Sequence, residues 1–158
     1  MVRSAVLVFA SVVWTSTALA VAAVPAGVQT FAGNWSCQLR QGNVTYASTI
    51  SAVPWGHWIK EDIAYPAQAG EPAAKGIAFL GYDMQGHRWI YNETDTIGVF
   101  FLKKSDDRDV KTSSWTGVYP TSGDVTNFHV LSPDRYTIDS RYKEGGKALA
   151  FHQICTRT

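Results

Sequence analysis

The sequence predicts an all-β protein: a single closed, up-and-down antiparallel β-barrel of about ten strands. Short runs rich in Val, Ile, Thr, Tyr, Phe and Trp recur every ~8–14 residues, and turn-forming residues separate them. Almost no stretch has the 3.6-residue periodicity of an amphipathic helix. The two cysteines, Cys37 and Cys155, lie in the first and last of these runs. A bond between them would join the two ends of the strand meander, as a closed barrel requires.

The N-terminus has the layout of a secretory signal peptide, which we place at residues 1–23. Arg3 supplies the positive charge, and an apolar run follows over 5–13. Trp14 and the hydroxyl residues after it interrupt this run before it reaches the ~20 residues of a membrane span. We therefore expect a cleaved signal, with residues 24–158 as one barrel domain. The barrel is expected to be secreted or periplasmic.

Charge and composition exclude some classes of partner. The formal net charge is +1 and there is no long basic or acidic run, which argues against nucleic acid and anionic membrane surfaces. Six Trp and seven Tyr have to line either a core or a cavity. We expect a small apolar or amphipathic molecule as the partner. We expect no cofactor, no metal site and no stable membrane insertion.

The two cysteines predict a structural disulfide. No Cys-x-x-Cys spacing occurs, and two distant thiols make a poor zinc site, whereas export leads to an oxidising compartment. Trp35 and Cys37 share a face of the first strand, and Phe151 and Cys155 share a face of the last. Closing so long a loop is worth roughly 4–5 kcal/mol in the chain-entropy description.

The first five predicted strands are separated by residues that favour turns. Tight turns are expected at 41–43, 54–56 and 83–86, which contain Gly, Pro, Asn or Asp. Residues 66–75 form the longest connection and are rich in Ala, Pro and Gly, so we expect a flexible loop at one mouth of the barrel. The predicted strands are 33–40, 44–53, 57–65, 76–82 and 87–93.

The second five strands continue the same pattern. Polar turns are expected at 94–96, 105–109, 120–123, 132–134 and 144–146. The predicted strands are 98–103, 111–119, 125–131, 135–143 and 148–156. Closure of this meander removes the exposed sheet edges that otherwise favour aggregation.

Several short motifs resemble those of known barrels. Gly33-Asn34-Trp35 is similar to the Gly-x-Trp opening of lipocalins, in which the glycine allows close entry of the chain and the Trp closes the barrel floor. Together with the segments 80–83, 87–89, 115–117 and 154–157, it resembles a family of small exported bacterial proteins of unknown function. That family is similar to lipocalins and fatty-acid-binding proteins. The resemblance implies a lipocalin-like, calycin-type barrel and supplies no catalytic residues.

Strand alternation supplies the candidate ligand-binding residues. We expect inward faces that include Glu61, Trp89 with Tyr91, Trp115 with Tyr119, and His129, although a register slip of one residue inverts a face. Apolar walls with a few polar groups are typical of small-molecule pockets. The polar members would orient a ligand. The candidate ligand-binding residues are Glu61, Trp89, Tyr91, Trp115, Tyr119 and His129.

Three alternatives to ligand binding stay open. A histidine, His129 or His152, could hold haem, although His152 is expected to face solvent. A cavity enzyme of the cyclase or isomerase type is the second, but His57 and Glu61 lie ~13 Å apart along one strand and no Gly-x-Ser-x-Gly motif occurs. We assign no catalytic residue. The third alternative is a structural or interaction barrel with a filled core.

Overall fold

The computed structural model describes residues 27–120, 123–144 and 146–158, and the predicted signal peptide lies outside these ranges. The described chain forms a closed antiparallel barrel in which each strand pairs with its sequence neighbours and β1 pairs with β10. A 3₁₀ turn, Val28–Phe31, precedes the first strand, and no described helix is long and apolar enough to cross a membrane. The strands are β1 Gly33–Gln41, β2 Val44–Trp55, β3 Trp58–Tyr65, β4 Ala74–Asp83, β5 Arg88–Asp95, β6 Phe100–Ser105, β7 Thr112–Tyr119, β8 Val125–Ser132, β9 Arg135–Glu144 and β10 Lys147–Arg157.

The predicted fold class and order of strands are confirmed, and no predicted strand end differs from the observed one by more than two residues. Local turn chemistry explains the agreement. β1 and β2 are joined by Gly42 and Asn43, and β2 and β3 by Gly56 and His57. Both glycines have a positive φ, +58° and +61°, which side chains other than glycine rarely allow. These two-residue turns fix the hairpin register.

One end of the barrel is closed by aromatic and cationic side chains around Trp35. Its indole is 2% exposed, and its Nε1 donates a hydrogen bond to the Phe31 carbonyl at 2.8 Å. The Tyr136 ring meets it edge-on, with centroids 4.8 Å apart. The Arg157 guanidinium lies 4.2 Å from the indole centroid and donates to the Ala32 carbonyl at 2.7 Å. The predicted role of Trp35 as the barrel floor is thereby confirmed.

The disulfide between Cys37 and Cys155 closes the seam of the barrel. The two residues are directly opposite in the β1–β10 register, with Cα atoms 4.1 Å apart. Both side chains are buried, at 1% and 0% exposure. The bond therefore joins the first and last strands inside the barrel wall, as the sequence predicts.

Candidate functional site

The half of the barrel farther from Trp35 contains a cavity of about 380 Å³. Pro66 and Gln68 of the β3–β4 connection and Ile97 of the β5–β6 turn line it, so the mouth lies at this end. Small-molecule sites typically have volumes of ~300–1,000 Å³ and mainly apolar walls. The apolar wall residues include Phe31, Ile50, Ile63, Phe101, Phe128 and Ile138.

The β3–β4 connection lies at the mouth, as predicted, and one glutamine fastens it to the barrel. The Gln68 amide accepts from the Ala47 main-chain N–H at 2.6 Å and donates to the Ala47 carbonyl at 2.7 Å. The pairing of β2 with β3 ends at Thr49 and Ala64, so this part of β2 has no strand neighbour on that side. Gln68 supplies the hydrogen bonds that the missing neighbour would have made.

Four predicted site residues point into the barrel, but only two of them reach the cavity. Glu61 and Tyr91 line it. Trp89 and Trp115 are fully buried in the closed half and do not line it. The Trp115 Nε1 donates to the Ser113 hydroxyl at 2.6 Å, so this indole is a satisfied core group.

The inward orientation predicted for Tyr119 is wrong. The β6–β7 pairing shifts between Leu102 and Lys103, which leaves Val118 as an extra residue in β7. A bulge of this kind reverses the alternation of side chains beyond it. Tyr119 therefore lies on the outer surface, 59% exposed, with its ring 5.6 Å from that of Phe100.

The inward orientation predicted for His129 is also wrong, because β8 presents its other face to the interior. Thr126 and Phe128 are buried and line the cavity, whereas His129 is exposed. The two faces of this strand carry similar numbers of apolar residues, so alternation alone does not distinguish them. All four histidines lie in described segments, and none of them lines the cavity. His152 is exposed, and its Nδ1 lies 2.7 Å from Asp139 Oδ1.

Two buried carboxyl groups and two tyrosine hydroxyls form the polar part of the cavity. The Tyr65 hydroxyl donates to Glu93 Oε1 at 2.5 Å. The Tyr91 hydroxyl lies 3.1 Å from Glu93 Oε2 and 3.4 Å from Glu61 Oε2, and therefore connects the two acids. Glu61 and Glu93 are 5% and 8% exposed. Strand alternation places Glu93 on the same inward face as Tyr91, so this signal could have added Glu93 to the candidate residues.

The two acids differ in how well their surroundings stabilise the charged form. Burial, with the negative charge of Glu93, raises the pKa of Glu61 from 4.5 to about 8, against the opposing hydrogen bond from Tyr91. Burial also raises the pKa of Glu93, but the Tyr65 and Tyr91 hydroxyls oppose the rise. Glu61 consequently holds its proton at neutral pH. The tyrosines remain neutral, because burial and the nearby acids raise the pKa of Tyr65 and Tyr91.

Lys103 is the cation of the cavity wall, and it is already paired. Its ammonium lies 2.8 Å from Asp124 Oδ2 and donates to the Thr126 hydroxyl at 2.6 Å. Thr126 is in turn 2.8 Å from the Ser140 hydroxyl. In the described part of the chain, no group of three or more His, Cys, Asp or Glu side chains is placed to hold a metal ion.

Comparison with known proteins supports the fold. No protein-family model matches the chain, and no curated protein matches it. A de novo designed fluorescence-activating β-barrel is 14% identical, and the match covers 83% of this chain and 96% of the design at a TM-score of 0.52. An S-type phycobiliprotein lyase from Guillardia theta is 12% identical, and the match covers 83% of this chain and 90% of the lyase at a TM-score of 0.53. At this identity the likeness shows the barrel alone, and the resemblance to exported bacterial proteins stays a prediction.

Proposed function

We propose that this protein binds a small amphipathic molecule inside its barrel, outside the cytoplasm. The observation that carries the proposal is the cavity, whose apolar walls surround a polar group built from Glu61, Glu93 and Tyr91. Such a combination buries the body of a ligand and fixes the orientation of its polar end. The buried disulfide is consistent with an oxidising compartment.

The cavity also weighs against two of the alternatives. A barrel that serves only as a scaffold has no need of an open interior, because side chains alone can fill a barrel of this class. Haem ligation needs a histidine that reaches the interior, and His129 and His152 are both exposed on the outside.

A cavity enzyme of the cyclase or isomerase type is a second candidate, and Glu61 is the observation that favours it. A buried carboxylic acid whose pKa is raised to about 8 can donate a proton near neutral pH. Recovery of the bound molecule unchanged after long incubation supports binding. Chemical conversion of the bound molecule by the wild type that is abolished in the Glu61→Gln variant supports catalysis.

The proposal is tested by filling the cavity and measuring the binding of Nile red, a neutral amphipathic dye. Ser48 lines the cavity, whereas its neighbour Thr49 is exposed on the outer face of the same strand. We expect Ser48→Phe to weaken dye binding about tenfold or more and Thr49→Phe to leave it unchanged. Ile138→Trp, on another part of the wall, provides an independent block.

Two results would overturn the proposal. One is a wild-type protein that fails to bind Nile red and carries no small molecule in native mass spectrometry of material from its host. The other is dye binding that is equally strong in wild type, Ser48→Phe and Ile138→Trp, with thermal melts showing that all three are folded.

A further inference from the structure

We propose that the buried end of the ligand is a cation: an amine or quaternary ammonium group that sits against Glu61 and Glu93. The inference rests on the proposed function and specifies the chemical class of the ligand. It follows from the charges of the cavity wall, from two groups with unused hydrogen-bonding capacity, and from the aromatic rings around them.

The charges of the cavity wall are unbalanced. Its described lining includes four carboxyl residues and a single lysine; the acids are Glu61, Glu71, Glu93 and Asp95. The lysine, Lys103, is neutralised by Asp124 at 2.8 Å. In the described ranges no Lys, Arg or His lies within ion-pair distance of Glu61 or Glu93. Lys103 favours the charged form of Glu93 only from beyond ion-pair distance, so a charged acid here has no adjacent counter-ion among the described residues, and a bound cation would provide one.

Two buried groups are left with unused hydrogen-bonding capacity. The one hydrogen bond that Glu61 receives from the described residues is the long contact of 3.4 Å with Tyr91. Tyr136 is 4% exposed, lines the cavity, and has no hydrogen-bond partner for its hydroxyl in the described chain. The negative charge of Glu61 affects the pKa of Tyr136, so the two groups are close enough to interact. Both residues line the cavity, so a ligand or water there can complete their hydrogen bonds.

Aromatic rings surround this polar end of the cavity. Tyr91 has its ring 5.8 Å from that of Phe101 and 6.2 Å from that of Phe128. Phe31 and Tyr136 lie 5.3 Å apart on the floor side. The faces of such rings attract cations, most of all where water is excluded. The same rings provide the apolar contact that the body of an amphipathic molecule needs.

An anionic ligand fits this wall poorly. A carboxylate head would face Glu93, and Lys103, whose charge Asp124 already neutralises, has a single N–H left to offer it. A fatty acid is therefore disfavoured as the ligand. A bound cation instead takes the place of the proton on Glu61. The carboxylates of Glu61 and Glu93 then share the positive charge of the cation.

The test compares three probes with the same ten-carbon chain: decyltrimethylammonium, decanol and decanoate, each below its micellar concentration. Calorimetric titration of the disulfide-intact protein near neutral pH should show decyltrimethylammonium binding about tenfold or more tightly than decanol, and decanoate binding most weakly. Glu61→Gln and Glu93→Gln should each remove most of the advantage of the cation over decanol. Asp62→Asn is the matched control, because Asp62 follows Glu61 on the outer face and pairs with Lys60 at 2.8 Å.

The affinity for decyltrimethylammonium should also rise with pH by up to about tenfold per unit below pH 8, because Glu61 must release its proton. The other titratable groups around Glu61 are Glu93, whose pKa is also raised, Tyr65, Tyr91, Tyr136 and, beside Glu93 at longer range, Lys103. The tyrosines do not ionise in this range, since burial raises their pKa. Decanol should show no such slope, which distinguishes the proton release from a general change in the barrel.

The outcomes separate this inference from the proposed function. If decanol binds and decyltrimethylammonium has no advantage over it, the cationic class is wrong and the binding function stands. If the cation is preferred equally in Glu61→Gln, Glu93→Gln and wild type, the assigned groups are wrong. If none of the three probes binds while Nile red does, the inference fails and the proposed function stands.

Discussion

Glu61 is a carboxyl group whose burial opposes its ionisation. With its pKa raised from 4.5 to about 8, the folded protein binds this proton more tightly than the unfolded chain does. Its contribution to stability is therefore complete below pH 4.5 and is lost as the pH rises toward 8. Glu93 acts in the same direction, since burial also raises its pKa. Burial of the two acids thus lowers the free energy of unfolding as the pH rises toward 8, and it places two carboxyl groups where a ligand can bind.

The first prediction concerns this pH dependence. The free energy of unfolding of the wild type should fall between about pH 5 and pH 8, with Glu61 contributing up to roughly 5 kcal/mol of the fall. Glu61→Gln should show a much smaller decrease, because the amide has no proton to lose. Thermal melts across the pH range measure this, with Asp62→Asn as the control of equal charge change. Parallel curves for wild type and Glu61→Gln would contradict it.

The second prediction compares Tyr91, which lines the cavity, with Tyr119, which lies on the outer surface. Tyr91→Phe removes the hydroxyl that contacts both acids, so the pKa of Glu61 should rise further and cation binding should weaken several-fold. Tyr119→Phe should change neither, because Tyr119 lies on the outer surface. An NMR titration of the side-chain carboxyl of Glu61 in each variant measures the first effect. Equal behaviour of the two variants would rule out the role given to Tyr91.

At the scale of elements, the barrel mouth depends on how β2 and β3 separate. Beyond Thr49 and Ala64 the two strands no longer pair, and the β3–β4 connection crosses to β2 through Gln68. Its amide imitates a peptide group, since it both accepts from and donates to Ala47. The connection is therefore held to β2 by side-chain hydrogen bonds in place of strand pairing.

The third prediction tests that attachment. Gln68→Ala removes two hydrogen bonds worth about 0.5–1.5 kcal/mol each, so the Ala47 amide should exchange its hydrogen roughly tenfold faster. Release of Nile red should accelerate, while the global melting temperature changes little. Gln85→Ala, in the exposed turn at the closed end, is the control. Unchanged exchange at Ala47 would mean that Gln68 does not hold the connection.

At the scale of the molecule, the closed end and the β1–β10 seam are built from neighbouring residues of the same two strands. Trp35 and Cys37 lie on one face of β1, and their partners Arg157 and Cys155 lie opposite them on β10. Gly33 beside them has a φ of +128°, which side chains other than glycine rarely adopt, and a Cβ here would also displace the Arg157 guanidinium. The packing around Trp35 and the neighbouring disulfide stabilise the end of the barrel opposite the mouth. The other end can therefore hold a cavity.

The fourth prediction concerns the floor. Trp35→Ala removes a buried indole with its hydrogen bond to Phe31 and should cost about 3–5 kcal/mol. That is a large part of the roughly 5–15 kcal/mol available to a domain of this size. The melting temperature should fall strongly even with the disulfide intact. A variant that melts within a degree or two of wild type would contradict the role of Trp35 as the floor.

The fifth prediction concerns the seam. The disulfide spans 118 residues of sequence, so replacing both cysteines with alanine should cost up to about 4–5 kcal/mol. Denaturant unfolding of the double variant measures this loss. Intact-mass analysis of the wild type, alkylated with and without reductant, should reveal two thiols only after reduction. Free thiols without reductant would contradict the bond.

The sequence by itself determined the ten strands, the disulfide and the floor at Trp35. Each of these depends on local chemistry: turn residues set the hairpins, two cysteines allow only one pairing, and alternation on β1 gives the same face to Trp35 and Cys37. For Glu61 and Tyr91 the alternation was equally clear, and both line the cavity.

Only the tertiary structure decided the rest of the site. The bulge at Val118 turns Tyr119 outward, and it is defined by the pairing with the neighbouring strand, which alternation within β7 does not show. His129 faces solvent because the packing of Phe128 against Trp115, with ring centroids 5.4 Å apart, selects the other face of β8. Tyr65 reaches Glu93 across 28 positions of sequence through barrel curvature. The raised pKa of Glu61 follows from burial among these distant neighbours, so it exists only once the barrel has closed.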